Sequence, residues 1–137
     1  MSASEIFLGP LQEFMDAHKH FRNGDNKETI VSANKAFESV CKSICTAKGW
    51  ALDRTNNSVS KLIATMCDNN LIPAYMQSHV GALRSVLESG VPTVRNRDAA
   101  HGQGPVPTDV PDHYAAFVLH LTASNIVFLI SSYESSM

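Results

Sequence analysis

Apolar residues recur every three or four positions along most of the chain, which is the spacing of one helix face. Alternating runs of strand length are few, and no Asn-Gly or Asp-Gly dipeptide joins two of them as a hairpin would. The clearest row is Ile30, Ala33, Phe37, Val40, Cys41, Ile44 and Cys45, a single buried stripe. Lys48-Gly49 ends that helix; Asp25 or Asn26 caps its start, with Glu28 three residues after Asp25 as in a capping box. A helix before it runs from about Ser4 to Arg22, with Ser2 or Ser4 as N-cap and Asn23-Gly24-Asp25 as the stop. Ser58 caps a third helix to about Asn69, after a loop at Arg54-Thr55-Asn56-Asn57. Leu71-Ile72-Pro73 turns the chain into a fourth, Ala74 to Glu88, which Ser89-Gly90-Val91-Pro92 ends because proline and its predecessor resist α geometry. Beyond Gly102-Gln103-Gly104-Pro105 and Pro107, a last helix runs from about Asp109 or Pro111 to Tyr133, apolar almost all round, as a central or interface helix is. The pattern predicts an all-α bundle of four to five helices, folded as one domain over residues 1–137.

With 137 residues and 44% apolar content, the chain has enough material for one core and too little for two. A net charge of −2 excludes a protein that grips nucleic acid by bulk charge, so any polyanion must meet a local patch. All eleven lysines and arginines precede Asp98, which leaves the last helix without one. Arg84, Arg95 and Arg97 would then carry any grip on phosphate, with Arg54 or Lys61 extending it, and so few contacts imply a modest salt dependence. Cys41, Cys45 and Cys67 form an odd set in apolar surroundings without a C-x-x-C spacing or a secretory signal, which fits a reducing cytoplasm. The apolar stretch from Ala115 to Ile130 is broken by His120, Thr122, Ser124 and Asn125, and reads as a buried helix rather than a membrane anchor.

One constellation stands above this background: Arg95-Asn96-Arg97-Asp98-Ala99-Ala100-His101-Gly102. Arginine offers a planar donor fork to phosphoryl oxygens, histidine moves protons near neutral pH, and glycine permits close backbone approach. Six helical steps of about 100° leave Arg95 roughly 120° from His101, whereas Arg97 shares the histidine's face. Arg95 and His101 therefore converge only across a helix end, and the Pro92 stop and the glycine-proline loop favour one here.

Arg95-Asn96 followed by His101-Gly102 resembles the R-N-x(4–6)-H motif of HEPN ribonucleases. The helix Ala36 to Cys45, the motif from Val94 to Gly104, and the tail Ala123 to Leu129 resemble the abortive-infection C-terminal family in the same order, over roughly residues 11 to 134. That resemblance implies a helical bundle that dimerises so that two motifs face one groove, usually in bacterial phage-defence or toxin systems that cut RNA without metal. His101 would be the acid/base residue, Arg95 the clamp on the phosphorane, and Asn96 the residue orienting substrate or loop, with Arg97 adding phosphate attraction. Attack by a ribose 2′-OH needs a base and an acid, and a two-fold dimer supplies two motif histidines where one chain supplies one. The resemblance implies no cofactor and no metal. It implies RNA, a second copy, and an antitoxin or a separate chain in place of the larger N-terminal domain that relatives often carry. The alternative is a module that binds RNA or a nucleotide, or merely dimerises, without cutting.

Other candidates have plainer readings. Glu38 and Lys42, four apart, form an ordinary surface ion pair unless they flank the groove. His18 and His20 point to different faces and share no metal. Cys41 and Cys45 belong to the core stripe, not to a zinc site. His113 and His120 lie on one stripe of the last helix, where they pack or cap, or carry a second proton. Trp50 and Tyr75 read as core lids rather than base-stacking platforms.

Overall fold

The computed structural model describes residues 3–50, 58–87 and 110–137. These are helical and contain no strand. The elements are α1 (Ala3–Ile6), α2 (Leu8–Arg22), α3 (Asn26–Ala47), α4 (Val59–Asp68), a 3-10 turn (Ala74–Met76), α5 (residues 77–87) and α6 (Asp112–Ser135).

The bundle is built around α3. Its whole apolar row is fully buried, joined by Thr29 and Ala36, so the stripe is wide enough for neighbours on more than one side. Both α2 and α6 pack along it, and α4 reaches its far end, where the Cys45 thiol points at the Leu62 carbonyl (3.9 Å). The ends fix the directions. Asn26 at the start of α3 meets Val110 and Asp112 at the start of α6, and Lys48 at the end of α3 lies over the Tyr133 ring near the end of α6 (5.3 Å). Helices α3 and α6 therefore run parallel. Helix α2 runs against both, since Phe7 just before it stacks edge-on against Tyr133 (5.6 Å).

Three helices end in the same device. At the ends of α2, α3 and α4, Gly24, Gly49 and Asn70 take positive φ (79°, 72° and 61°). In each case the next residue's N–H reaches back five positions: Asp25 to His20, Trp50 to Cys45, and Leu71 to Met66. These are Schellman caps, which satisfy carbonyls the helix itself leaves open.

The structure departs from the pattern-based reading in four places. The first helix is broken at Phe7, because Pro10 has no N–H to give to the Ile6 carbonyl and its ring crowds that turn. The freed turn lets Phe7 point inward, where it is fully buried. Asp25 is the N-cap of α3, but its side chain makes no capping bond. Its carboxylate lies towards His20 Nδ1 (3.9 Å), while its carbonyl accepts from both the Thr29 N–H and the Thr29 hydroxyl (2.9 Å each). The fourth helix starts as a 3-10 turn, set by the Met76 N–H donating to the Pro73 carbonyl (2.8 Å). Finally, α6 does have the length and hydropathy of a membrane span. Its face Ala115, Val118, Leu119, Thr122, Ile126, Leu129 and Tyr133 is nevertheless buried in the bundle, as that of a core helix is. Its opposite face carries His113, Phe117, His120, Ser124, Val127 and Ser131, all exposed, so the helix is not central.

Ser58 behaves as the sequence implies, its hydroxyl accepting from the Lys61 N–H (3.3 Å).

Candidate functional site

Arg95, Asn96, Arg97 and His101 lie outside the described residues, as do Arg54 and the loops that bracket the motif. What the structure does place is the body on both sides of that segment. Leu87 and Val110, the described residues on either side of it, are both buried, 1% and 7% exposed.

Val110 is held by Asn26. Its side-chain amide donates to the Val110 carbonyl (2.8 Å) and to the Asp112 carboxylate (2.7 Å). Two acceptors on one side fix the amide orientation, because only the NH2 end has two donors. An open cleft of about 730 Å³ lies over this contact, lined by Gly24 to Glu28 and Val110 to Asp112. Asp25, Glu28 and Asp112 rim it against the single cation Lys27, a balance that repels phosphate. RNA would have to be gripped elsewhere.

Arg84 sits on α5 between the buried Leu83 and Leu87, half-buried and engaged within the chain. Glu38 and Lys42 form the exposed ion pair read from their spacing (2.9 Å), worth a few tenths of a kcal/mol, about 0.3–0.5. His18 stacks edge-on against Phe14 (5.1 Å), while His20 turns to Asp25, so the two histidines go separate ways. His113 and His120 share the exposed face of α6 and therefore do not pack inside. Trp50 leans on the core, but Tyr75 is 76% exposed and is no lid.

All three cysteines are buried and free. Burial pushes the Cys45 thiol up to about 11 and raises Cys67 as well, with Asp68 adding to the latter. Cys41 is raised furthest, by burial first and then by its neighbours Cys45 and Glu38. Such thiols are poor nucleophiles and poor metal ligands. Among the described residues, no three His, Cys, Asp or Glu side chains come together as a metal site.

Two tertiary contacts escape a local reading of the sequence. Asn26 was legible only as a cap, and the Ser39 hydroxyl's bond to the Glu13 carboxylate (2.7 Å), which ties α3 to α2, had no signal at all.

The all-helical body of the described residues is the fold class that the family resemblance implies. The model of the Abi_C family of HEPN-like domains matches residues 9–133, nearly the whole chain, and the chain belongs to that family. No curated protein and no solved structure matches it.

Proposed function

We propose that this protein is a metal-independent endoribonuclease of a bacterial phage-defence or toxin system, working in the cytoplasm as a symmetric dimer. The observation that carries this reading is the family match over residues 9–133, which encloses Arg95-Asn96 and His101 at R-N-x4-H spacing.

In this reading His101 of one copy takes the proton from a ribose 2′-OH, and His101 of the other gives one to the departing 5′ oxygen. Arg95 holds the charge that builds on the phosphorus between them, and Asn96 orients the substrate or its own loop. Arg97 adds attraction for the flanking phosphate. Arg84, half-buried on α5 and engaged within the chain, would add to the grip on phosphate. The outer face of α6 supports the dimer. No Asp, Glu, Lys or Arg interrupts residues 113–133, and Phe117 and Val127 stand exposed on it, 52% and 63%. A cognate antitoxin would be the further partner of such a toxin.

The test is to compare wild type with Arg95→Ala and His101→Ala for RNA cleavage and for mass in solution. Lost cleavage from intact dimers supports the proposal. Wild-type protein that retains RNA without cutting it supports the binding module instead, and variants that fall to monomers support a structural role for the motif.

A further inference from the structure

The Asn26 side chain ties the start of α3 to the chain that follows the motif. Its partners, Val110 and Asp112, are 84 and 86 residues away in sequence. Val110 is the first described residue after the motif segment, nine positions beyond His101. The contact also sits where local forces are weak. The Asp25 side chain makes no capping bond to α3, and Pro111 at the N-cap of α6 has no hydroxyl or carboxylate to offer that helix. The Pro111 carbonyl accepts from both Tyr114 and Ala115 (3.1 Å each), so the entry into α6 is tightly wound and its direction depends on what holds Val110 and Asp112.

We infer that Asn26 is a positioning residue: by holding the Val110 carbonyl and the Asp112 carboxylate together, it fixes the start of α6, to which the motif-bearing sequence leads. The inference rests on the ribonuclease reading for its effect on catalysis, and on the two hydrogen bonds for its effect on structure. A shift of about 1 Å in a reacting group costs as much as 100-fold in rate, so losing this anchor lowers turnover more than it lowers RNA affinity.

The experiment measures single-turnover RNA cleavage, RNA affinity and amide hydrogen exchange for wild type, Asn26→Ala and Thr29→Val. Thr29→Val serves as the control, because it removes a hydroxyl bond to Asp25 at the same helix end and leaves Val110 alone. Asn26→Ala should cut the cleavage rate by about tenfold or more with affinity held within twofold. It should also speed exchange in peptides covering residues 110–115 but not in those covering residues 33–45. Thr29→Val should cleave as wild type does. Cleavage and exchange that match wild type in Asn26→Ala overturn the inference, as does an equal rate loss in Thr29→Val. If wild type does not cleave RNA, the ribonuclease reading fails by itself. Exchange then decides the anchor: faster exchange confined to residues 110–115 upholds it, and unchanged exchange overturns it.

Discussion

Phe7 and Tyr133 meet edge to face, ring centroids 5.6 Å apart, and so join the two ends of the described chain. Phe7 is 1% exposed and Tyr133 6%, and Lys48 covers the Tyr133 ring. Removing the Phe7 ring empties a site that the α1–α2 break exists to fill. Phe7→Ala should therefore lose about 3–5 kcal/mol of stability in urea unfolding, the range for deleting a buried phenylalanine. A loss below about 1 kcal/mol would mean that the break does not insert Phe7 into the core.

The Schellman caps make a different kind of prediction. Gly24 and Gly49 take positive φ, yet a Cβ built on either meets nothing within 4 Å. Alanine there pays only for backbone conformation, so Gly24→Ala and Gly49→Ala should each cost about 1–2 kcal/mol without altering the packing. Asn70, in the same conformation without glycine's freedom, should gain stability on Asn70→Gly. Thermal melts of the three variants check both signs.

Cysteine titration gives a pH prediction. Folding raises the Cys45 thiol from 9.0 to about 11. Between those values the folded state holds more protons than the unfolded state, so stability falls as pH rises. The contribution is complete below pH 9 and is lost as pH climbs through about 11. Equilibrium unfolding at pH 8, 9.5 and 10.5 should show this decline, and Cys45→Ser should flatten part of it. In native protein at pH 8, all three thiols should react with a disulfide reagent far more slowly than in denaturant.

The outer face of α6 is where the proposed dimer can be tested. Phe117→Glu and Val127→Glu place charge on exposed positions, where folding should tolerate it. Light scattering should then give monomer mass with wild-type helicity. Unchanged dimer mass in both variants would move the seam to another surface.

The helical plan was legible because α3 keeps one apolar row for its full length, and every member of that row is buried as its spacing implies. Breaks and caps were legible only where a residue has one use. Gly24 and Gly49 mark real helix ends, whereas Pro10 lies inside an apolar run whose spacing continues across the break at Phe7. The Asp25–Glu28 pattern misled because the two Asp25 groups a capping box needs are both turned to His20: its N–H donates to the His20 carbonyl and its carboxylate faces His20 Nδ1. Asn26 could not be assigned from sequence, since its partners lie more than 80 residues away. The motif itself was legible as residue types at a spacing, and its residues lie outside those the structure describes.

Paired Arg95 and His101 are proposed to cut RNA. The direct measurement is to incubate purified wild type and His101→Ala with a labelled structured RNA in EDTA and to map the product ends. Wild type alone should cleave, giving products that end in 2′,3′-cyclic phosphate. No cleavage by a well-folded wild-type dimer, or equal cleavage by His101→Ala, would contradict the proposal.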